Sequence, residues 1–585
     1  MLKKRKSFEI RRVIEYSEFF VGEKPIDVVA TLKLFNKNKL IRMATILSLH
    51  YGNLYIPDDK RTLFSDSSRK HMDYLNLCFD DYFMRIGCQS GQKVEVVTYR
   101  TGLELWRYIF AIKSDEYQNT VKEEDIELLL FKIVLTLNER VVYIKETDKV
   151  KYNLDELLFL NSFLTNDSNN YTFQSVLQPQ LYYFYHLVNT IDQNEVLATA
   201  SKILFEKWGI TSWKQYLATL LYIANETEKY RVSQHGGVPI LKPYIIQTHD
   251  ETDLFSPSLV ESLYIEENEF VPYNDLEGRD KRQENVDYRI FRSKPFVKLE
   301  GGSGYVVINI QLLCERIFNS LYFDFAPLIN GQKGSVGFYD FNKEFVEKIM
   351  FRKSFFNCIP TSQFTYPSQN STVEKEDPHE PDFYCRFQDN IVLVECKAIK
   401  MNGVIRDDGD YSRLLEELHE KIVLKTKNLD PKRKAFKTEP EPIGIGQLIH
   451  HIDSIEADEF QWDTNIPDAV AYYPLIVFED VRLLQPGLLS LLNRWFNEQL
   501  VEKNELSDIS CQPVMAVSIN TLFLYDDLIK RKSLINMIDQ FVSEYSVVDA
   551  DGMIIVAEDA DFDDYLRMNK FEKQNLLGEW LTSKE

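Results

Sequence analysis

His379-Glu-Pro-Asp-Phe-Tyr-Cys-Arg-Phe-Gln-Asp-Asn-Ile-Val-Leu-Val-Glu-Cys-Lys-Ala-Ile-Lys400 is the stretch on which the reading of this 585-residue chain turns. Asp389-Asn390 is a turn dipeptide, because Asn tolerates a positive φ. It joins two apolar runs, 383–387 and 391–394, so a β-hairpin is predicted. Side chains alternate faces along a strand, which puts Glu395 and Lys397 on one face and Cys396 on the other. Ile391-Val-Leu-Val is apolar at every position, as in a central strand buried on both faces. Asp382 opens the first strand, and Glu395 and Lys397 close the second. Charge at the end of a buried strand needs a partner, since burying an unpaired charge is costly.

A metal site supplies that partner. Asp382 and Glu395 offer hard oxygen donors, which suit Mg²⁺ or Mn²⁺. The backbone carbonyl of Cys396 is placed to complete the coordination sphere. Lys397 is placed to hold and acidify an attacking water, or to stabilise charge developing on phosphorus. Such a set suits phosphodiester hydrolysis.

Pro381-Asp382 followed by Glu395-Cys396-Lys397 resembles the PD-(D/E)xK signature of the restriction-endonuclease-like nuclease superfamily. The resemblance implies a core of helix, hairpin-containing sheet, second helix and further strand over about 335–485. It implies a metal-binding Glu on the first core helix, Tyr339-Asp-Phe-Asn-Lys-Glu-Phe-Val-Glu-Lys-Ile-Met. Glu344 is the first choice there and Glu347 the second, since residues three apart share a helix face. It also implies Gln-x-x-x-Tyr on the helix after the Lys strand. Here Gly446-Gln-Leu-Ile-His-His offers Gln447 and His451, with His in the place of Tyr. Gln447 is then expected to orient a phosphate or a metal-bound water. The segment 401–443 is longer than the pattern needs and has room for an additional helix.

Working outward, residues 1 to about 290 carry apolar side chains at helical spacing, for example in Ile126-Glu-Leu-Leu-Leu-Phe-Lys-Ile-Val-Leu and Trp213-Lys-Gln-Tyr-Leu-Ala. Breaks fall at 52–59, 166–170 and 235–239. Abundant Tyr and Phe, as in Leu181-Tyr-Tyr-Phe-Tyr-His, are expected to be core filler. Residues 250–290 are acidic and aperiodic and are read as an interdomain segment. Gly301-Gly-Ser-Gly lacks the Lys-Ser/Thr of a phosphate loop and is read as a hairpin turn before Tyr305-Val-Val-Ile. Strand-like runs at 383–387, 391–394, 474–478 and 513–519 alternate with helical segments at about 411–428, 444–456 and 486–501. The expected fold is therefore an all-helical region, 1–290, for recognition or regulation, followed by a nuclease-like α/β domain, 291–585. That domain has a mixed central sheet flanked by helices.

Composition excludes several classes. Hydrophobic residues at 44% and charged residues at 27% are globular values, and 585 residues exceed one core, so two or three domains are expected. Seven cysteines form no CxxC pair, which disfavours a disulfide framework or a zinc–thiolate site and fits a reducing cytoplasm. The basic start Met1-Leu-Lys-Lys-Arg-Lys is followed by no apolar run, so export is not expected. No apolar run is long enough to span a membrane.

A net charge of −22 is the wrong sign for a nucleic-acid coat. Residues 331–455, however, hold 18 basic against 20 acidic side chains. Within them Lys425, Lys427, Lys432, Arg433 and Lys434, with His451, are candidates for contact with nucleic acid. Adjacent His450 and His451 point about 100° apart on a helix and do not make a zinc pair. Asp549, Asp551, Glu558, Asp559, Asp561, Asp563 and Asp564 miss the EF-hand pattern and read as a solvated acidic loop.

The expected function is a Mg²⁺- or Mn²⁺-dependent nuclease acting on DNA, of the kind that serves as a restriction or phage-defence effector. A protein partner or a second copy would bind through the helical region. A catalytically inactive nuclease-like scaffold is the alternative, and a non-nuclease metallohydrolase the third reading.

Overall fold

The computed structural model describes residues 12–50, 70–87, 94–141, 151–165, 172–233, 243–247, 254–269, 288–302, 304–330, 336–359, 380–402, 405, 410–425, 441–502, 509–548 and 553–568. They divide into two compact units, one drawn from 1–143 and 164–338, the other from 144–163 and 339–576. Among the described residues, no helix is long and apolar enough to cross a membrane.

The first unit is mainly helical, with long helices at Tyr99–Ala111, Ile126–Val141, Phe173–Ile191 and Trp213–Ser233. Many of its aromatics fill cores, Tyr183 and Phe184 of the 181–186 run among them, but Tyr185, Tyr74 and Tyr222 are exposed. Phe19, Phe20, Phe79, Tyr82 and Phe131 cluster together, and Trp106 packs with Leu32, Phe35 and Ile109. The unit is not purely helical. Arg12–Val13 pairs in parallel with Val94–Glu95, and Phe296–Lys298 pairs antiparallel with Tyr305–Val307. The second ribbon carries the glycine-rich turn. Gly304 has φ +103, and a Cβ there would lie 2.5 Å from the Ile246 carbonyl oxygen.

Two boundary expectations are corrected. The break falls at 338/339 rather than 290/291, because Val297, Val306 and Leu312 belong to the same apolar cluster as Leu103 and Trp106. The described part of 250–290 is not a free linker. Pro257–Ser262 forms a helix with Ser256 as its cap, and Leu259 and Val260 are buried. Pro257 sits at the first helical position, where its missing N–H costs nothing. Residues 270–287, like the breaks at 52–59, 166–170 and 235–239, lie outside the described residues.

The second unit is built on a mixed sheet of five strands flanked by helices. The strands are β1 (Phe383–Phe387), β2 (Asn390–Lys397), β3 (Ala471–Phe478), β4 (Ser510–Cys511) and β5 (Met515–Ser518). β1 is antiparallel to β2, β2 runs parallel to β3, and β3 runs parallel to both β4 and β5. β4 and β5 are two pieces of one edge. Cys511 faces Tyr472 but Met515 faces Leu475, so one extra residue is accommodated around Pro513. A bulge is where a sheet tolerates proline. Asn493 Oδ1 accepts the Val514 N–H at 2.7 Å there.

β2 is buried from Ile391 to Lys397, as its unbroken apolar run requires. The hairpin turn differs in detail. Gln388-Asp389 forms it, with φ +52 at Gln388, and Asn390 already pairs with Phe387. The helices around the sheet include α1 (Asn342–Phe351), α2 (Arg352–Cys358), α3 (Tyr411–Ile422), α4 (Ile445–Glu456) and α5 (Leu488–Glu502). α3 is the additional helix for which 401–443 had room. Phe355 and Phe356 of α2 pack on Phe383, with ring centroids 4.6 and 5.2 Å away. On the opposite face α4 is tied down by Tyr472, whose hydroxyl donates to Glu456 Oε1 at 2.5 Å.

The helix Leu154–Thr165, expected in the helical region, gives residues up to Phe163 to this second unit. Arg494 Nη2 of α5 donates to Glu156 Oε1 at 2.7 Å. Gly487, with φ +92, lets Asp155 approach so closely that a Cβ would lie 2.2 Å from its carbonyl oxygen.

Candidate active site

The register of the hairpin sets the site. Phe383 faces Val394, so Asp382, one step outward, comes level with Glu395 on the same face of the sheet. The Cys396 N–H donates to Asp382 Oδ2 at 2.7 Å and fixes that carboxylate against the end of β2. Lys397 leans back along the strand. Its Nζ donates to Glu395 Oε2 at 3.0 Å and to Gln447 Oε1 at 2.8 Å, and it lies 3.9 Å from Asp382 Oδ2.

α4 covers this face and starts directly over the lysine. Gly444, ahead of its first turn, has φ +54 and ψ −104, a conformation suited to glycine. A Cβ there would lie 2.4 Å from the Ile422 carbonyl oxygen and 3.4 Å from Lys397 Cε. Gln447 Oε1 accepts the Gly444 N–H at 2.8 Å as well as the Lys397 ammonium, so one side chain caps the helix and holds the lysine.

One turn further on, His451 Nε2 is 3.1 Å from Glu395 Oε1. Its ring meets Phe460 and Trp462 edge-on. Those two aromatics belong to a segment held against β1. Tyr384 packs on Phe460, and its hydroxyl donates to Asp463 Oδ2 at 2.8 Å. Arg386 Nε donates to the same oxygen at 2.7 Å.

Exposure grades across the site. Glu395 and His451 are each 1% exposed, Lys397 is 8% exposed, and the Asp382 side chain keeps 28% of its surface. The charges do not simply follow that gradient, because the neighbours of each group matter as much as its burial. Burial opposes the Glu395 charge, yet Lys397 and His451 outweigh it and hold the carboxyl below its usual range. Burial likewise opposes the Lys397 charge, and Glu395 and Asp382 more than reverse this, so the ammonium persists. Asp382 is pushed up to about 8, first by burial and then by Glu395. Glu347 of α1 is also raised, by burial and by the carboxylates of Asp340 and Glu395.

The structure thus brings Asp382, Glu395, Lys397 and Gln447 together. Other expectations are corrected or lie outside the described residues. Glu344 is not the inward carboxylate; it pairs with Lys348 at 3.1 Å on the half-exposed side of α1. Glu347 is the one whose charge is felt at Asp382 and Lys397. α1 is wound as a π-helix, and its i→i+5 ladder takes more residues per turn, so residues three apart diverge more than on an α-helix. Cys396 reaches the site through its N–H to Asp382.

His451 is buried and bonded to Glu395, so it is not a surface contact for nucleic acid. Lys425 is exposed on a ribbon in which Leu424–Lys425 pairs with Glu441–Pro442. Lys427, Lys432, Arg433 and Lys434 lie outside the described residues, as do Asp549 and Asp551 of the acidic cluster. Asp563 of that cluster is buried, accepting the Ser518 N–H at 2.8 Å and facing Arg567 at 2.9 Å, so it is structural rather than solvated.

The donor set fits a hard divalent cation in kind. Three carboxylates, Asp382, Glu395 and Glu347, share one ammonium, and two of them are raised by burial and mutual repulsion. Burial of negative charge that one lysine does not offset is the electrostatic condition a cation relieves. As the side chains stand, no three His, Cys, Asp or Glu among the described residues converge closely enough to hold an ion. Lys397 stands between Asp382 and Glu395 and takes up that room. No family model matches the chain, and no curated protein or solved structure matches it.

Proposed function

We propose that the chain is a metal-dependent nuclease that hydrolyses phosphodiester bonds in DNA, with a restriction-endonuclease-like core in its second unit. The observation that carries the reading is the Lys397 ammonium, held at 3.0 Å from Glu395 with Asp382 facing it across the hairpin. Order and position add support. α1, the β1–β2 hairpin, α4 and β3 occur in the sequence that the PD-(D/E)xK resemblance implies, with α3 added.

Asp382, Glu395 and Glu347 would hold Mg²⁺ or Mn²⁺, which supplies a nucleophile from bound water and polarises the scissile phosphate. Asp382 and Glu347, at the more exposed end, meet substrate first. Lys397 brings a persistent positive charge to the phosphate whose negative charge grows as the bond to the attacking oxygen forms. Gln447 keeps that ammonium from collapsing wholly onto Glu395, because its own oxygen competes for the same donor. The buried floor of Glu395 and His451 excludes water behind the reacting groups, which strengthens these interactions. Service as a restriction or defence effector, with the helical unit sensing a partner or trigger, belongs to the same proposal.

A second reading is a nuclease-like scaffold without catalysis. It is favoured by the ammonium filling the space between the carboxylates and by the absence of a converged three-donor group among the described residues. Plasmid DNA separates the two readings. The nuclease nicks or linearises it with Mg²⁺ or Mn²⁺ and stops in EDTA. The scaffold leaves it intact under both conditions.

A further inference from the structure

We infer that His451 is a positioning residue for Glu395: it holds one carboxylate oxygen in place so that the other electron pairs face the cation. The inference rests on the proposed function and adds a residue to it. Glu395 is buried, and each of its oxygens has one partner. Oε2 takes the Lys397 ammonium at 3.0 Å, and Oε1 takes His451 Nε2 at 3.1 Å. An ionised carboxylate only accepts hydrogen bonds, so Nε2 carries the hydrogen.

The other ring nitrogen makes the assignment specific. His451 Nδ1 is buried and has no hydrogen-bond partner among the described residues. A buried polar atom left unpaired costs about 1–3 kcal/mol. Phe or Leu would fill the same slot, against Phe460 and Trp462, without that cost. What the imidazole adds over an apolar ring in this slot is the Nε2 bond to Glu395. Asp382 is held differently: its Oδ2 accepts the Cys396 N–H of β2 at 2.7 Å. The two carboxylates are thus oriented by different means, one from its own strand and one from a helix packed over it.

The shell behind His451 is continuous. Phe460 touches both His451 and Tyr384, and Tyr384 and Arg386 both donate to Asp463. The ring is held by packing from a segment that β1 anchors, so rotation would break aromatic contacts on two sides. Partners that hydrogen-bond a metal-binding side chain from behind are worth about 10–100-fold in metal affinity.

The test is titration calorimetry of the full chain with MnCl₂ at one fixed pH, for wild type, His451→Phe and His451→Gln. His451→Phe keeps the packing and loses the donor; His451→Gln keeps a donor. The expected result is about a 10–100-fold weaker Kd in His451→Phe and a Kd within about threefold of wild type in His451→Gln. Equal affinity in wild type and His451→Phe overturns the inference, as does an equal loss in both variants, which would indicate packing alone. If His451→Phe does not fold, His451→Gln decides: affinity near wild type supports the role, and a tenfold loss overturns it. Absence of Mn²⁺ binding to wild type would defeat the metal reading itself, and this inference with it.

Discussion

Lys397 Nζ and Glu395 Oε2 lie 3.0 Å apart on one face of β2, two residues from each other, and both side chains are almost wholly withdrawn from solvent. The pair answers the question raised by charge at the end of an apolar strand: each residue is the other's counter-ion. On the proposed reading, the ammonium and a divalent cation would compete for the same carboxylate oxygens.

That competition has a measurable consequence. Breaking a buried ion pair by removing one partner costs about 3–5 kcal/mol, because the other charge is left uncompensated. Lys397→Met should therefore lower the melting temperature in EDTA. Mn²⁺ stabilises the native state by an amount that grows with its affinity. The upward shift on adding Mn²⁺ should be larger in Lys397→Met than in wild type. Thermal unfolding with and without the ion measures both; equal Mn²⁺ shifts in the two proteins would refute competition.

The two glutamates of α1 should separate cleanly. Glu344→Gln removes a half-exposed pair with Lys348, worth about 0–1 kcal/mol, and should leave Mn²⁺ affinity and DNA cleavage unchanged. Glu347→Gln removes a charge felt at the site and should weaken Mn²⁺ binding at least about tenfold. Parallel calorimetry and cleavage assays check this, and the reverse order of effects would return the helix carboxylate to Glu344.

The site's pH response has a defined sign. Asp382 titrates at about 8 in the fold, raised by burial and by Glu395, against about 3.9 in an unfolded chain. Between those values the native state holds a proton that the unfolded state has lost. Asp382 therefore makes the ion-free protein less stable as pH rises from about 4, until pH passes about 8. Asp382→Asn should flatten that part of the profile. Mn²⁺ must displace the proton, so its affinity in wild type should climb up to pH 8 and level off above. Melting curves in EDTA for both proteins, with calorimetry across pH 6–9, test it. A wild-type melting temperature that rises from pH 5 to 8 while that of Asp382→Asn stays level would contradict it.

How far the sequence went can be judged residue by residue. The unbroken run Ile391-Val-Leu-Val announced a strand buried on both faces, and period-2 alternation then put Glu395 and Lys397 together. Asp382 followed from hairpin register, although the turn proved to be Gln388-Asp389 rather than Asp389-Asn390, since pairing across the whole sheet overrode local turn preference. Glu344 and Glu347 were not separable by spacing, because that assumes α-helical winding and α1 is a π-helix. The bond from His451 to Glu395 depends on how α4 lies on the sheet, which no local pattern encodes. Tertiary assignment was the least legible. Leu154–Thr165 lay within a region read as helical throughout, with no local signal of which unit it joins, and the acidic surface around Pro257–Ser262 masked the buried Leu259 and Val260.

Cleavage of DNA by wild type beside Lys397→Ala and Asp382→Asn, with Mg²⁺ or Mn²⁺ and in EDTA, bears most directly on the central claim. Plasmid, linear double-stranded and single-stranded DNA, with RNA alongside, serve as substrates. Loss of a group that stabilises the transition state electrostatically costs about 10²–10³ in rate. The account predicts ion-dependent cleavage of DNA by wild type and a fall of at least about 100-fold in both variants, each shown to be folded. Equal cleavage by wild type and Lys397→Ala, or cleavage that persists in EDTA, would contradict it.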